Sequence, residues 1–495
     1  MRRLSALAGC AALLALPLLA TAQDAQPSTP WPQGGPPSDV ALSELVADAL
    51  DLFALERFEE FRDAKERGED SGHIRVFQDD IDAGQYTVDD LFAFGDSVFG
   101  HEFRDLDGYG DDPAVRPMQR VHAGARGGRD NFSCLGCHSL GGPDGAGAAT
   151  QNAYLFGDGA DLDSALERNP PMLLGLGMVQ ELARELSADL QRQRDEALAA
   201  AQDQGRDVTA HLVTRDIDFG RITARADGSL DLSAVEGVDD DLVVKPFGWK
   251  GVFPDLRRAT EDAARVHFGI QSSVIAEQHR DAPAPELLGP GPDWWDPDGD
   301  GKQRELEEGS LTAASVYLAT LEVPTILPPA SPALRNRWAQ GDALFDAIGC
   351  NDCHVRAIGM ANTVWLEYPD TTGAAPFEVE LFHAGEEPKG SPNVQLFSDL
   401  KRHDMGPGLA ERHADTSHPN IGASTWLTRP LWGLAETAPY LHDGRAATVP
   451  EAILAHGGEA QESRDAFEAL SPEEQASLHV FLLSLTRTPK VRSPL

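Results

Sequence analysis

Cysteine, positive charge and long apolar runs are all scarce in this 495-residue sequence. Four of the five cysteines fall in two identical motifs, which leaves only Cys10 for any other use. The sequence has 41 basic and 80 acidic residues. The resulting formal net charge of −39 makes nucleic acid and anionic membranes poor partners. Beyond the first residues, no apolar stretch is long enough to span a bilayer. The remaining composition, with 41% hydrophobic residues, is typical of a globular protein of two or three domains.

The first 22 residues predict export. MRRLSALAGCAALLALPLLATAQ combines Arg2 and Arg3, an apolar run, and a small-x-small cleavage pattern that ends at Ala22. LAGC at 7–10 mimics a lipoprotein box, but cleavage there would leave the apolar run on the mature protein. We therefore expect a cleaved signal peptide and a periplasmic protein, rather than a lipid anchor or an uncleaved membrane anchor.

Two copies of Cys-x-x-Cys-His hold the four remaining cysteines, in NFSCLGCHSL (131–140) and AIGCNDCHVR (347–356). In this pattern the thiols add to the vinyl groups of haem and the adjacent histidine ligates the iron. An exported protein favours disulfides, but the histidine after each pair argues against them. A zinc site would require ligands that are far apart in sequence to converge. The sequence therefore predicts two covalent haem c groups, attached at Cys134, Cys137, Cys350 and Cys353, with His138 and His354 as proximal ligands.

Helical patterns around the second motif predict a cytochrome c fold. GDALFDAIGCNDCH (341–354) places apolar residues at helical spacing before the motif. SPEEQASLHVFLLSL (471–485) starts like a helix and continues with an apolar stripe that can pack against it. GSLTAASVYLATLEVP (309–324) repeats the pattern of this closing helix, so the first haem domain should end near 324.

The predicted fold class is mainly α, with two cytochrome c-like haem domains, long loops and an N-terminal helical extension. Helical periodicity over 43–68 and 171–202 predicts scaffold helices. The expected division is a signal peptide (1–22), a partly helical extension (23–85), a first haem domain with insertions (86–324), a proline-rich linker (325–334) and a second haem domain (335–488).

Three segments resemble the di-haem oxidoreductase family, a peroxidase-like group also described as thiol-oxidoreductase-like. They are WLTRPLWGLAETAPYLHDGRAATVPEAILAHGGEA (426–460), LFSDLKRHDMGPGLA (396–410) and PPMLLGLGMVQELA (170–183). TAPYLHDG (437–444) is also similar to bacterial di-haem cytochrome c peroxidases. The resemblance covers about residues 90–488 and implies redox chemistry and a periplasmic location, but not a substrate.

The ligand on the far side of each iron decides its chemistry, because methionine favours electron transfer whereas an open position admits peroxide or oxygen. Met405 lies in RHDMGPG, which matches the HDMG sequence of the family, and we expect it to ligate the second haem. Alternatively, Met405 fills a gap in the core. His403 and His442 are the competing ligands.

The first haem has less clear candidates. His267, in ARVHFGIQSS, follows the family-like stretch FGWKG (247–251), and His122 precedes the motif. An open position is an equal alternative to either ligand. The resemblance implies that Trp249 lies between the haems and passes electrons, although packing is the ordinary role of a tryptophan.

A calcium site is predicted by DPDGDGKQRELE (296–307). Its spacing fits the twelve-residue loop of an EF-hand, with a glycine at the turn. Gln303 departs from the usual aliphatic residue, and no second hand is evident, so the alternatives are one structural calcium loop or a solvated acidic turn. The predicted ligands are Asp296, Asp298, Asp300 and Glu307.

These features predict a periplasmic di-haem oxidoreductase that reduces hydrogen peroxide with electrons from a small cytochrome or cupredoxin. Electrons would enter at the His354 haem and reach peroxide at the His138 haem. The required acid–base group is sought among Glu and Gln residues between 249 and 280. The alternatives are a non-catalytic electron carrier and an oxidase of an organic substrate.

Overall fold

The computed structural model describes the chain in ranges separated by gaps. Outside these ranges lie the predicted signal peptide, the helical pattern over 43–68, most of the predicted extension, and Asp296, Asp298 and Asp300 of the predicted calcium loop. The described residues are 75–104, 107, 120–122, 125–127, 131–138, 152–156, 165–274, 305–370, 375–382, 392–413 and 418–487.

Ten α-helices form within the described residues. None of them combines the length and the apolarity that crossing a bilayer requires. They are α1 Gln78–Asp82, α2 Val88–Gly100, α3 Cys134–Cys137, α4 Leu176–Gln204, α5 Leu256–Phe268, α6 Glu308–Thr320, α7 Pro332–Ala347, α8 Val449–Ala455, α9 Gln461–Ala469 and α10 Pro472–Leu482.

Fifteen short strands accompany these helices in the described ranges. They pair into six two-stranded sheets and one three-stranded antiparallel sheet, β5-β6-β7. The strands are β1 Arg120–His122, β2 Ala125–Gly127, β3 Ala153–Phe156, β4 Ala165–Arg168, β5 Val208–Thr214, β6 Ile217–Ala224, β7 Leu230–Val235, β8 Thr325–Ile326, β9 Ile358–Gly359, β10 Val364–Glu367, β11 Phe377–Glu380, β12 Asn393–Val394, β13 Arg402–Asp404, β14 Thr425–Leu427 and β15 Leu485–Thr486.

The fold is therefore mixed, and the expectation of a mainly α protein holds only in part. The helix predicted over 171–202 is confirmed as α4, which ends at Gly205 in the left-handed conformation that glycine adopts at low cost. The three-stranded sheet that follows α4 was not expected. In β6 the side chains of Ile217, Phe219 and Ile222 are buried, and the alternation of buried and exposed residues shifts by one position before Ile222, where the pairing with β7 is irregular.

A helix before each Cys-x-x-Cys-His motif crosses a later helix at a glycine. Helix α2 packs on α6, and a side chain at Gly95 would place its Cβ 2.2 Å from the carbonyl oxygen of Ala313. Helix α7 packs on α10, and a Cβ at Gly341 would lie 2.0 Å from the carbonyl oxygen of Ser477. The two predicted closing helices are thus present as α6 and α10, whereas the domain boundaries stay a prediction.

Helix α6 forms the centre of the first half of the structure. Every residue from Glu308 to Thr320 is buried, because α2, α4 and α5 all pack against it. A helix that is covered on all sides lacks a solvent-exposed polar face. This explains why α6 carries mostly apolar and small side chains around its whole circumference. The helices that α6 contacts also carry residues that line the cavity of the first motif.

Candidate functional site

The first motif forms a single helical turn at one wall of a large cavity. Helix α3 places Cys134 and Cys137 three residues apart and therefore on the same side of the turn. Neither thiol is in a disulfide, and both line a cavity of about 610 Å³ together with His138. Burial raises the pKa of the Cys134 thiol to about 12, so it stays neutral beside this largely apolar space.

His138 has the character of an iron ligand. Burial, followed by the influence of nearby His267, lowers the pKa of His138 to about 4, so the imidazole is neutral at neutral pH. A metal can bind a histidine only in this neutral form. Its Nδ1 atom is buried near the carbonyl of Pro171 but has no hydrogen bond to the described residues.

His267, one of the candidate ligands of the first haem, lines the same cavity. It lies in the last turn of α5 and lines the cavity together with His138. Helix α5 is fixed at its start by Asp255, whose side chain accepts a hydrogen bond from the amide of Arg258. His122, the other candidate, lies in strand β1.

The second motif lines a smaller cavity of about 340 Å³. A 3-10 turn over Cys350–Asp352 follows Gly349, whose φ of 80° is one that glycine tolerates. His354 donates from Nδ1 to the carbonyl oxygen of Phe397 at 3.0 Å, which leaves Nε2 available to a metal. Burial, and then nearby His456, lowers the pKa of His354 to about 4. Both cysteines of this motif are also free thiols.

Met405 and His456 both line the cavity of the second motif. His456 donates from Nδ1 to the carbonyl oxygen of Ala452 at 2.7 Å, and its Nε2 is the nitrogen left for a ligand. The two candidates are neighbours, because a Cβ added to Gly457 would lie 3.0 Å from the carbonyl oxygen of Met405. Sequence reasoning missed His456. The signal was present in ILAHGG, a histidine at a helix end followed by two glycines within a family-like segment.

His403 is unsuited to ligate iron. Its Nε2 lies 2.8 Å from an oxygen of Asp399 and its Nδ1 lies 2.7 Å from an oxygen of Glu459. Although burial opposes protonation, the hydrogen bonds to Asp399 and Cys353 raise the pKa of His403 to about 11. Both ring nitrogens are engaged by carboxylates, so neither is available to a metal.

His442 lies on the wall of the second cavity within an aromatic stack. Its ring is 3.8 Å from that of Trp426 and nearly parallel to it, and burial lowers the pKa of His442 to about 3. Trp249 also lies edge-on to the His442 ring, with ring centroids 6.5 Å apart. This arrangement makes His442 a neutral packing partner of two tryptophans.

The two cavities share a wall. Trp249, Arg429 and the segment 169–172 line both of them. Trp249 is fixed by a hydrogen bond from its Nε1 to the carbonyl oxygen of Asn169 at 2.7 Å. The guanidinium carbon of Arg429 lies 5.4 Å from the centre of the Trp249 ring. The structure therefore places the predicted Trp249 at the boundary between the spaces that the two motifs line.

Residues 249–280 were expected to contain the acid–base group. Among the described residues of this range, one carboxylate lines the first cavity. Glu261 is bonded to Ser272 and Arg258 and does not line the cavity, nor does Gln271. Asp262 does line it, 3.0 Å from Arg265. No Glu or Gln of the described part of this region lines the cavity, and the identity of the acid–base group stays a prediction.

Glu307 is the described member of the predicted calcium loop. It is buried, stands directly before α6, and lies 3.5 Å from the Nη1 atom of Arg75. A carboxylate with one ion-pair partner retains oxygen lone pairs for a second cation. The calcium site therefore stays a prediction.

Two cavities, each with a Cys-x-x-Cys-His motif on its wall and a neutral histidine, define a protein that holds two haems. The free thiols, the available Nε2 of His354 and the mainly apolar linings fit that group. Residues 204–485 match the family model described as "Di-haem oxidoreductase, putative peroxidase". This match covers more than half of the chain, which therefore belongs to the di-haem oxidoreductase family.

Two solved structures are similar to parts of the chain. Hydrazine synthase from Kuenenia stuttgartiensis, pressurised with xenon, is 19% identical over 36% of this chain and 55% of its own, with a TM-score of 0.22. The aligned region thus spans little more than half of that protein. A MauG-like protein associated with microbial copper homeostasis is 16% identical over 53% of this chain and 77% of its own, with a TM-score of 0.27. No curated protein matches the chain.

Proposed function

We propose that this protein is an exported di-haem c-type enzyme that reduces hydrogen peroxide with electrons from a small redox protein. The observation that supports it best is the pair of cavities on either side of Trp249. A one-electron carrier needs one haem, whereas peroxide cleavage needs two electrons. Two redox centres that share a wall can supply both electrons together.

The residues of the chain would hold the haems at fixed places. Cys134 and Cys137, like the pair in the second motif, would bond to haem by adding their thiols to its vinyl groups, and His138 and His354 would bind the irons. When bound, the haems supply iron that exchanges single electrons and, at an open position, admits peroxide. Denaturing mass spectrometry of protein matured in the periplasm should show two attached haems and a chain that begins at Gln23. A single haem, an intramolecular disulfide, or retention of the first 22 residues would contradict this part of the proposal.

Peroxide would be reduced in the cavity of the first motif. This cavity is the larger, at about 610 Å³ against about 340 Å³, and both must accommodate the same group. The surplus space is suited to a small second molecule. Asp262 lines this cavity, and a carboxylate there can accept a proton from one peroxide oxygen and return it to the other. Trp249 would lie between the cavity of the first motif, where peroxide reacts, and the cavity of the second motif, where electrons from the donor enter.

The test adds hydrogen peroxide to the half-reduced holoenzyme, with a reduced cytochrome as the donor. Asp262→Asn should slow turnover by roughly 10²- to 10⁴-fold, the usual contribution of an acid–base group. Asp195→Asn, on an exposed part of α4, is the matched control and should leave turnover unchanged. Protein that binds neither peroxide nor carbon monoxide when half-reduced would instead be an electron carrier.

A structural calcium ion bound by 296–307 is part of the proposal. Its support is the ligand spacing and the burial of Glu307 at the start of α6. An ion bound only by the folded state stabilises that state, so chelation should lower the melting temperature and added calcium should restore it. Glu307→Gln should weaken the response to calcium. Unchanged melting and metal content after chelation would remove the ion from the proposal.

A further inference from the structure

Arg429 is a cation with an unusual position between the two haem cavities. It follows strand β14 by two residues and lines both spaces. One side of its guanidinium lies against the Trp249 ring, at 5.4 Å from the ring centre.

Arg429 has no carboxylate partner among the described residues. Other buried cations near these cavities do: Arg168 and Lys250 both contact Glu411, the latter at 3.2 Å. This contrast is informative in a chain with 80 acidic and 41 basic residues, where partners for a cation are plentiful. A guanidinium has five N–H donors and needs acceptors for them when it is removed from water.

The charge of Arg429 persists inside the protein. Burial lowers its pKa to about 10, so the group is still protonated at neutral pH. Arg429 is half-buried and lines both cavities, and a cation partly removed from water without a counter-charge is costly unless an anion completes the site. The missing partner should therefore be an anion that belongs in the cavities.

We propose that Arg429 binds the propionate carboxylates of the two haems at the wall that the cavities share. Each haem carries two propionates, and a planar guanidinium matches a carboxylate through two parallel hydrogen bonds. The wall position makes Arg429 accessible from both cavities. The proposal depends on the di-haem character of the family and not on peroxide as the substrate.

This pairing has an electrical consequence. A cation beside a propionate keeps that carboxylate ionised and cancels its charge near the iron. Without Arg429, a buried propionate would take up a proton within the neutral pH range, and its negative charge at higher pH would stabilise the oxidised iron. Other charged or titratable side chains also line the two cavities: Asp352, His354, His403, Tyr440, His442, His456, Glu459, Glu462 and Arg464 in one, and His138, Arg168, Lys250, Asp262, Arg265, His267 and His418 in the other.

The test measures the midpoint potentials of the assembled holoprotein between about pH 5 and pH 8, the range in which a carboxyl whose pKa is raised by burial would titrate. The wild type should show potentials nearly independent of pH. Arg429→Gln should lower at least one potential at pH 8 and make it fall as the pH rises. Arg225→Gln removes the same charge from an exposed ion pair with Asp231 and should behave like the wild type. Unchanged potentials in Arg429→Gln with both haems attached would overturn the proposal.

A second measurement separates haem carboxylates from a free anion. Potentials of the wild type that respond to added acetate at constant ionic strength would identify a free anion and overturn the proposal. If Arg429→Gln does not assemble, Arg429→Lys retains the charge. Its redox-linked infrared spectrum with ¹³C-labelled propionates should then show ionised carboxylates, and a protonated carboxyl band would overturn the proposal.

Discussion

Histidines of this chain differ in charge because of their immediate partners. The motif histidines His138 and His354 are buried beside other histidines, and their pKa values fall to about 4. His403 is buried between two carboxylates, and its pKa rises to about 11. The motif spacing predicted the first two from sequence alone. Of the two partners of His403, Asp399 is four residues away in the sequence, whereas Glu459 is 56 residues away and is brought to the ring only by folding.

Two residues, Met405 and His456, are candidates for the second protein ligand of the second haem. We expect Met405, because a thioether raises the potential of the haem that receives electrons. The oxidised wild type should then show the weak near-infrared band of thioether-bound iron, Met405→Ala should lose it, and His456→Ala should keep it. A bis-histidine electron paramagnetic resonance signal in the wild type that disappears in His456→Ala would assign the site to His456 instead.

Helix crossings are where the sequence and the packing agree best. The similarity between 309–324 and 471–485 predicted two equivalent closing helices, and α6 and α10 each pack on the helix that precedes a motif. Gly95 and Gly341 permit these crossings, because a neighbouring carbonyl occupies the place of a side chain. The sheet β5-β6-β7 is not predicted by the sequence, because its alternation of buried and exposed residues is interrupted by register shifts at 211–213 and 221–223.

Two glycines of helix α2 provide a matched test of the first crossing. Gly95→Ala would force its Cβ against the backbone of Ala313 and should lower the free energy of unfolding by about 1–3 kcal/mol. Gly100→Ala, in the same helix, has nothing within 4 Å of its Cβ and should be neutral or stabilising by about 0.5–1 kcal/mol. Thermal and denaturant unfolding of the holoproteins measure both. Equal melting of the two variants would mean that α2 and α6 do not cross closely at Gly95.

The net charge of the whole molecule follows from the composition alone, whereas the location of the site does not. A formal charge of −39 gives a long-range field that repels anions and attracts cations. The two cavities, in contrast, are built from residues far apart in the chain, such as Asn169 and Arg429, which meet at one wall. Only folding brings these together, so motif spacing predicted the haem attachment points but not the residues between them.

The charge predicts which donor proteins the enzyme accepts. A basic cytochrome should be oxidised with a second-order rate constant that falls about tenfold or more between low and high salt, because added ions screen the attraction. An acidic donor of similar potential should react slowly at low salt and faster as salt is added, while an uncharged small reductant should respond little. Stopped-flow oxidation of the three donors by the oxidised holoenzyme across a salt series measures this directly. Equal salt dependence for the basic and acidic donors would show that the surplus of acidic residues serves solvation and does not steer the encounter.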